Sequence, residues 1–234
     1  MGPLVSIVVP CYNEERYIGE CLQSIVDQSY PSDLIEVIVV DGNSIDKSVS
    51  IVQKYSKILP QLTQLKNPQK ITPISLNIGV KSASGEIIVI LGAHSFVHSD
   101  FIKNSVLALD EADAVCVGGP IENIGSSYIG KAIALAMKSP FGVGNSLFRT
   151  SRKRQYVDTV AFGAYRKEVF KAVGYFDESL IRNQDFEFNQ RILKLGSKIL
   201  LTPKITSYYY ARNSLSQLFT QYFNYGYWKE KVIR

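Results

Sequence analysis

The sequence predicts an α/β fold in which a mostly parallel sheet carries helices on both faces. Two almost continuous apolar runs, "LVSIVVP" and "IEVIVVD", have the composition of strands that are buried on both faces. Helical spacing of apolar residues follows each run, and this alternation is typical of parallel sheets. The 234 residues contain no internal repeat and no low-complexity linker, so we interpret residues 1–234 as a single domain.

The first half predicts five strands and the helices between them. Asn13 is expected to cap the first helix, and a second helix follows Asp46. "QLTQLK" predicts the third strand, and Thr72-Pro73 begins the next helix with proline at its first position. Gly85 is expected to end that helix. "EIIVIL" and "ADAVCVGG" predict the fourth and fifth strands, separated by a short helix that begins near Ser99. The order is therefore strand–helix throughout the first half.

The second half predicts mainly helices. Apolar spacing indicates helices at 129–137, 166–173 and 184–195, and an aromatic-rich helix from about residue 215. A short strand is expected between the last two of these helices. Between residues 118 and 156 the chain is rich in glycine, serine and basic residues.

Composition and charge exclude several classes of protein. No window has the roughly 18 or more uninterrupted apolar residues of a membrane span, and the N-terminus lacks the basic leader of a signal peptide. Net charge is +5, with basic residues concentrated at 149–154 and near the C-terminus. These clusters are either solvated surface or contacts for anionic phosphates or an anionic membrane surface. Nucleic acid is not expected as a partner, because no binding motif accompanies the charge.

The three cysteines indicate a reducing compartment. Cys11, Cys21 and Cys116 have no C-x-x-C spacing, and each lies in or beside an apolar run. We therefore expect buried, reduced thiols in a cytoplasmic protein.

Polar residues follow three of the predicted strands, where parallel sheets bind their ligands. Asn13 and Glu14 follow the first strand; they either cap a helix or leave backbone N–H groups free for a phosphate. Asp41 ends the second strand, where its carboxylate can accept from a base N–H or a ribose hydroxyl. Gly92 and His94 follow the fourth strand. Together these positions predict a nucleotide or phosphate site.

Five segments, in order, carry a resemblance to a known family. They are "SIVVPCYNEERYIGECLQSIVDQSYP", "IEVIVVDGNSID", "SLNIGVKSASGEIIVILGAH", "FGAYRKEVFKAVGYFDESLIRNQDFEF" and "QYFNYGYWK". The chain resembles family 2 glycosyltransferases, and within them the subgroup of exopolysaccharide and succinoglycan biosynthesis. The resemblance covers nearly the whole chain and implies the GT-A nucleotide-sugar-binding fold, with residues 1–118 as the nucleotide-binding half and 119–234 as the acceptor-side half.

The resemblance also implies a set of donor-binding residues. Asp41 would bond the base, usually uracil, which makes a UDP-sugar the expected donor. Asn77 and Lys81 would approach the diphosphate or the sugar. The full set that the resemblance places around the nucleotide is Pro10, Tyr12, Asn13, Glu14, Asp41, Ser44, Asp46, Asn77, Lys81, Gly92 and Ala93.

The turn Gly92-Ala93-His94 falls where the family carries Asp-x-Asp, which binds a divalent cation (Mn²⁺ or Mg²⁺) between the two phosphates. This chain departs from the motif at both ends, since glycine supplies no ligand and only His94 can bind a metal. Three accounts fit. His94 and the phosphates bind a metal weakly, cationic side chains share the neutralisation, or the enzyme is impaired. We favour weak metal binding assisted by cations, for which the candidates are Lys81, Arg149, Arg152 and Arg154.

The resemblance places the catalytic base in "RNQDFEF". Asp185 aligns with the family's acid, and Gln184 holds the preceding acidic position. Inversion requires one carboxylate on the acceptor side of the anomeric carbon, to deprotonate the incoming hydroxyl. The alternatives are an acid that only stabilises a helix N-terminus, or Glu187 as the base. The residues expected near the acceptor are Gly163, Gln184, Tyr225 and Trp228.

The predicted function is transfer of a sugar from a nucleotide diphosphate sugar to a saccharide or a lipid-linked saccharide acceptor, with inversion. Aromatic residues at 208–228 either stack on sugar rings or pack in the core. Peripheral contact with the cytoplasmic face of a membrane is a further expectation. The alternative function is a catalytically impaired nucleotide-sugar-binding protein. A dinucleotide oxidoreductase is disfavoured, because the turn after the first strand lacks G-x-G-x-x-G.

Overall fold

The structure is a computed structural model that describes residues 2–144 and 146–233. Its strands are β1 (Val5–Cys11), β2 (Ile35–Asp41), β3 (Leu62–Lys66), β4 (Ile87–Ile90), β5 (Ser95–Val97), β6 (Cys116–Gly118), β7 (Ile121–Ile124), β8 (Gln155–Val157), β9 (Ala164–Arg166), β10 (Ile199–Leu201) and β11 (Ser207–Tyr210). Its helices are α1 (Ile18–Val26), α2 (Ser48–Tyr55), α3 (Thr72–Ser82), α4 (Phe101–Glu111), α5 (Tyr128–Ala136), α6 (Pro140–Val143), α7 (Leu147–Thr150), α8 (Glu168–Val173), α9 (Gln184–Lys194) and α10 (Leu215–Ile233), with a 3-10 turn at Ser32–Leu34.

The larger sheet has the strand order β3-β2-β1-β4-β9-β6-β10-β8. The first four strands in this order run parallel, with Cys11 opposite Asp41 and Val8 opposite Ile90. The β9 strand lies antiparallel between β4 and β6, and β8 is an antiparallel edge. Strands from both sides of residue 118 therefore join one sheet, which confirms the predicted α/β class with a mostly parallel centre.

A smaller sheet with the order β5-β11-β7 lies beyond the carboxyl end of β4. In it, Tyr209 pairs with Ser95 on one side and with Asn123 on the other. This pairing brings the end of β11 close to the turn that follows β4.

Helices cover both faces of the larger sheet. On one face, Ile18, Leu22 and Ile25 of α1 are fully or almost fully buried against β1 and β2. On the other face, the side chains of Leu76 in α3 and Phe188 in α9 are buried in a second apolar cluster. Burial of these apolar faces is the main favourable free energy that fixes the layers.

The first helix begins later than the sequence predicts. Asn13 does not cap α1, which starts at Ile18; its backbone instead lies in the left-handed region, with φ of 54°. The Oδ1 atom of Asn13 accepts from the N–H of Ile45 at 2.9 Å, and its own N–H donates to Oγ of Ser44 at 2.9 Å. Asn13 thus links the loops after β1 and β2 through these two hydrogen bonds.

Other outcomes concern one helix end, the short strands, the cysteines and membrane-spanning helices. The third helix ends at Ser82, before Gly85. The strands β5, β7, β8, β9 and β11, each of three or four residues, were not among the predicted elements. The three cysteines are buried free thiols, as expected. Burial, with the charge of Asp41 as a smaller cause, raises the pKa of Cys11 to about 12. Within the described residues, every helix is too short or too polar to cross a membrane.

Candidate functional site

A cavity of about 730 Å³ opens at the carboxyl ends of β1, β2 and β4. One wall is built by the turns after these strands, with Pro10 and Tyr12 from β1, Gly42 from β2, and Gly92 and His94 from β4. The register that sets Cys11 opposite Asp41 brings the first two turns level with each other. This position is where open parallel sheets hold their ligands.

The opposite wall comes from the second half of the chain. Phe162 and Gly163 precede β9, Gln184 and Asp185 begin α9, and Tyr210 ends β11. The predicted base and the predicted nucleotide turns therefore face one cavity. An apolar and aromatic lining with a few charged groups is typical of a small-molecule site.

Backbone strain is concentrated around this cavity. The five described non-glycine residues with positive φ are Asn13, Asn43, Lys70, Phe162 and Asn183. Lys70 and Phe162 line the cavity, and each of the other three is next in sequence to a lining residue. Such conformations cost about 1–3 kcal/mol when strained and cluster at functional sites. The strain marks the cavity independently of any motif.

The loops after β1 and β2 satisfy each other's hydrogen bonds. The N–H of Glu14 donates to Oγ of Ser48 at 2.7 Å, and the N–H of Glu15 donates to Asp46 at 3.0 Å. The N–H groups that the sequence offered to a phosphate are therefore occupied by side chains of the second loop. Ser44 and Asp46 support this loop pair and do not line the cavity.

Asp41 lies at the tip of β2 with 4% of its surface exposed. Its carboxylate accepts from the N–H of Ser44 at 3.2 Å and 3.4 Å. The adjacent Gly42 and Tyr12 line the cavity. The structure thus places Asp41 beside the cavity wall, below its surface.

The turn after β4 is held by its own bonds. The Gly92 carbonyl accepts from both the hydroxyl of Ser95 at 2.5 Å and its N–H at 3.0 Å. His94 Nδ1 lies 3.0 Å from Oε1 of Glu14, and its ring packs edge-on against Tyr209 at a centroid distance of 5.2 Å. His98, by contrast, does not line the cavity; its Nδ1 accepts from the N–H of Asp100.

The side chains at the Asp-x-Asp position do not fit a divalent cation site. Gly92 and Ala93 supply no ligand, and His94 offers one imidazole whose Nδ1 already faces Glu14. Among residues 2–144 and 146–233, no group of three or more potential metal-ligating side chains comes together. The metal-ligating side chains at this turn therefore do not support the expectation of a metal at His94.

Four cationic side chains that the sequence analysis missed line the cavity, namely Arg16, Lys70, Arg182 and Arg212. A sequence signal existed for two of them, because Arg16 directly follows "NEE" and Arg182 begins "RNQDFEF". Nothing in the local pattern distinguishes the other two from surface cations.

The cations that the sequence analysis did name lie elsewhere. Arg152 and Arg154 pair with acids outside the cavity, at 2.5 Å from Glu122 and 3.3 Å from Glu111 respectively. Lys81 lies over the ring of Tyr175. A separate case is Arg149, which donates to Asn123 at 3.1 Å yet also acts on Asp185 through its charge.

Asp185 is exposed at the surface of the cavity, and the cavity walls partly enclose its carboxylate. This enclosure raises the pKa of Asp185 above its ordinary value, while the N–H of Phe186 at 2.9 Å and the charge of Arg149 lower it. A raised carboxyl pKa inside a cavity is a feature of general acids and bases. Glu187, in contrast, binds Arg191 with two bonds of 2.6 Å and 2.8 Å and is thereby occupied.

Eight predicted site residues are not in the cavity lining: Asn13, Asp41, Ser44 and Asp46, described above, and Asn77, Lys81, Tyr225 and Trp228. Asn77 is buried, and its amide bonds the backbone of Phe176. Tyr225 bonds Gln221, and Trp228 packs on its neighbour Tyr227.

Solved structures share this fold at low sequence identity. TarS 1–349 of Staphylococcus aureus in complex with UDP-GlcNAc superposes with a TM-score of 0.70 and 23% identity, over 90% of this chain and 59% of that one. The mannosyltransferase PcManGT of Pyrobaculum calidifontis, in complex with GDP-Man and Mn²⁺, gives a TM-score of 0.68 and 23% identity, over 89% of this chain and 57% of that one. The fold is that of GT-A glycosyltransferases.

The family follows from the sequence comparisons. The model of glycosyl transferase family 2 matches residues 6–174. The chain is 31% identical to a dolichyl N-acetyl-α-D-glucosaminyl phosphate 3-β-D-2,3-diacetamido-2,3-dideoxy-β-D-glucuronosyltransferase of Methanococcus voltae, over 98% of this chain and 74% of the relative. It is 32% identical to the succinoglycan biosynthesis protein ExoA of Rhizobium meliloti, over 94% of this chain and 67% of the relative. The chain belongs to glycosyl transferase family 2 and is a glycosyltransferase, as its resemblance implied.

Proposed function

We propose that the protein transfers a sugar, with inversion, from a UDP-sugar to a hydroxyl of a saccharide or a lipid-linked saccharide. The observation that carries this proposal is the cavity in which the tips of β1, β2 and β4 face Asp185. TarS, which shares the fold, was solved in complex with UDP-GlcNAc, and the Methanococcus relative is named for a dolichyl phosphate-linked acceptor. These two proteins support the donor and acceptor classes proposed here.

Each side chain has a role in the proposed reaction. Tyr12 and Gly42 line the region where the nucleoside would bind, next to the buried Asp41. On the other wall, the ionised carboxylate of Asp185 would accept the proton of the acceptor hydroxyl. At the same time the oxygen of that hydroxyl would form a bond to the anomeric carbon of the donor sugar. The bond from that carbon to the phosphate breaks, and the nucleoside diphosphate leaves as an anion that needs no proton.

The test is the variant Asp185→Asn, assayed for sugar transfer and for UDP binding. Loss of the general base is expected to lower the rate about 10²–10⁴-fold, with UDP affinity largely unchanged. Glu187→Gln serves as the comparison, since Glu187 is occupied by Arg191 and is expected to retain most of the transfer. A tenth of the wild-type rate in Asp185→Asn is enough to reject Asp185 as the base.

The alternative function, binding of a nucleotide-sugar without catalysis, keeps its support from Gly92, which removes a family ligand. An assay of UDP-sugar hydrolysis, with a thermal-shift panel of UDP, GDP, CDP and TDP, separates the two functions. Nucleotide binding raises the melting temperature in both cases. Release of UDP from the sugar is expected only for the enzyme.

Contact with an anionic membrane surface is the remaining part of the proposal. The α10 helix exposes Leu215, Phe219 and Phe223, four residues apart, and carries Lys229 and Lys231 towards its end. Apolar side chains beside lysines suit the headgroup region of an anionic membrane. Flotation with anionic but not neutral vesicles is expected, and the variant Phe219→Ser/Phe223→Ser is expected to lose it. Equal flotation with both vesicle types argues against the charge contribution, and no flotation removes this part of the proposal.

A further inference from the structure

The arginines in the described part of the chain divide into two groups by their hydrogen-bond partners. Outside the cavity, every described arginine donates to a protein oxygen: Arg149 to Asn123, Arg152 to Glu122, Arg154 to Glu111, Arg166 to the carbonyl of Leu109, and Arg191 to Glu187. In the part of the chain that the structure describes, Arg16, Arg182 and Arg212 donate to no protein group and form no ion pair. These three are the arginines that line the cavity.

The three arginines reach the cavity from separate segments. Arg16 lies between β1 and α1, Arg182 lies just before α9, and Arg212 follows β11. Tyr17, which follows Arg16, and Tyr210, two residues before Arg212, contact each other at a ring-centroid distance of 4.9 Å. The cavity is therefore lined by three unpaired guanidinium groups that come from three separate segments.

The segment around Arg182 is fixed in position. Asn183 adopts a left-handed conformation with φ of 61°, and its amide donates to the carbonyl of Tyr225 at 2.9 Å. Arg182 is thus held two residues before the start of α9 and three before Asp185. The Arg212 charge acts on Tyr209, the ring that packs against His94. Arg182 and Arg212 therefore line the same cavity as the turn where the family's metal ligands stand.

Positive charge predominates in the cavity lining. Among the residues that the structure describes, the lining has four basic side chains, which include Lys70, and two acidic ones, Glu14 and Asp185. Glu14 already contacts His94. An unpaired guanidinium has its N–H fork free to bind a phosphate through two parallel hydrogen bonds. Fixed cations of this kind can stabilise a departing diphosphate as a metal ion does.

We propose that Arg16, Arg182 and Arg212 bind the two phosphates of the donor, so that the protein binds its nucleoside diphosphate without a divalent cation. This inference rests on the proposed function, which makes a nucleotide diphosphate sugar the ligand. Binding of the phosphates by arginines differs from the family's Asp-x-Asp arrangement. It agrees with the lack of metal-ligating side chains at Gly92 and Ala93.

The test is calorimetric titration of UDP, UMP and uridine in EDTA, repeated with Mn²⁺. The wild type is expected to bind UDP at least about ten-fold more tightly than uridine in EDTA. Mn²⁺ is expected to change the UDP affinity by less than about three-fold. Arg182→Gln and Arg212→Gln are each expected to lose about ten-fold or more in UDP affinity while uridine affinity stays constant.

The control is Lys103→Gln, which removes one exposed and unpaired cation of α4 outside the cavity. It is expected to leave UDP affinity unchanged, so that a general loss of positive charge is separated from loss of the site. Melting temperatures of the arginine variants should match the wild type, because these side chains bond no protein group. Arg212→Lys is expected to recover part of the affinity, since it keeps the charge but loses the fork.

Two results overturn the inference, and they are distinguishable. UDP binding that requires Mn²⁺ and is unaffected in both arginine variants rejects the cation site but leaves the glycosyltransferase donor proposal standing. Failure of the wild type to bind UDP, GDP, CDP or TDP with or without Mn²⁺ rejects the proposed function itself, and the inference with it.

Discussion

His94 and Glu14 join the two turns that frame the cavity, with Nδ1 of His94 3.0 Å from Oε1 of Glu14. The pair ties the end of β4 to the end of β1, and Tyr209 supports the imidazole from the side. The two side chains at this position that could bind a metal, His94 and Glu14, are therefore in contact with each other. Because Glu14 already contacts His94, its carboxylate is not free to join a metal site at this turn.

The turn after β4 has room for the Cβ of a side chain at Gly92. A Cβ at Gly92 would lie 3.4 Å from the ring of Phe162, which is ordinary contact. The double variant Gly92→Asp/His94→Asp is therefore expected to fold and to bind Mn²⁺ in the presence of UDP about ten-fold or more tightly than the wild type, since two carboxylates and two phosphates supply oxygen ligands. Mn²⁺ titration followed by electron paramagnetic resonance measures this affinity.

The matched control for that variant is Gly92→Asn/His94→Asn, which has similar size but no charge. It is expected to bind Mn²⁺ no better than the wild type. Equal Mn²⁺ affinity in the aspartate and asparagine variants contradicts the placement of Gly92 and His94 at the diphosphate.

The pH dependence of transfer is expected to report the environment of Asp185. Enclosure by the protein raises the pKa of this carboxyl above its ordinary 3.8, and Arg149 opposes the rise. A general base works in its ionised form, so kcat/KM should increase as the pH rises through the raised pKa. The variant Arg149→Gln removes a positive charge that lowers the pKa of Asp185. The acid limb of its pH profile of kcat/KM should therefore move to higher pH. A limb at the same pH in both proteins contradicts the coupling between Arg149 and Asp185.

The raised pKa of Asp185 also makes the stability of the folded protein depend on pH, and stability falls as the pH rises. The folded protein favours the protonated form of Asp185, so the contribution of this group to stability is present below the unfolded-state pKa and is lost as the pH rises through the folded-state pKa. Asp185→Asn removes the charge and is expected to raise the melting temperature at pH 7 but not at acid pH. Thermal melts of the two proteins at both pH values make the comparison. An equal difference at the two pH values assigns the effect to packing.

Long buried strands were predictable from the sequence, and short ones were not. The strands β1 and β2 are parallel and buried on both faces, so each reads as an unbroken apolar run. The three residues of β9, Ala164–Arg166, carry no period of their own and are held by β4 and β6 on either side. Tertiary pairing, not local pattern, forms such a strand.

The candidate site, like the strands, could be predicted from the sequence only in part. The turns at Gly42 and Gly92 follow strand ends and could be located from the sequence. Whether an arginine is paired depends on which acid lies opposite it after folding, so Arg212 could not be separated from Arg154 by its neighbours in sequence. The start of α1 was misplaced because Asn13 bonds a loop 31 residues away, which local capping rules do not include.

Asn77 is expected to act in stability more than in donor binding. Its amide donates to the carbonyl of Phe176 at 2.9 Å and to Glu178 at 2.8 Å, and its Oδ1 accepts from the N–H of Phe176 at 2.9 Å. Asn77→Ala leaves the Phe176 backbone groups buried without partners, at a cost of about 1–3 kcal/mol for an unsatisfied group. Urea unfolding measures the loss, and Lys81→Ala, which removes a contact with Tyr175, is the mild comparison. A large loss of UDP affinity with unchanged stability instead restores the role that the family resemblance gave to Asn77.

Two helical glycines are expected to respond to alanine in opposite directions. A Cβ at Gly79 would lie 2.3 Å from Cγ1 of Val8, a fully buried side chain of β1, so α3 sits on the sheet only because this position has no side chain. Gly79→Ala is expected to cost about 1–3 kcal/mol of unfolding free energy, as overpacking does. Gly226 of α10 has no atom within 4 Å of the same position. Gly226→Ala is expected to gain about 0.5–1 kcal/mol, because alanine loses less backbone entropy in a helix.

The cause of the Gly79 effect can be isolated with the variant Gly79→Ala/Val8→Ala. Removing the Val8 methyl groups creates the space that the new Cβ needs, so the double variant should be more stable than the sum of the two single changes predicts. Urea unfolding of the four proteins gives this interaction free energy. Additive single effects contradict a direct clash between α3 and β1, and they move the cause to the helix itself, where Gly226→Ala is the reference for alanine without a neighbour.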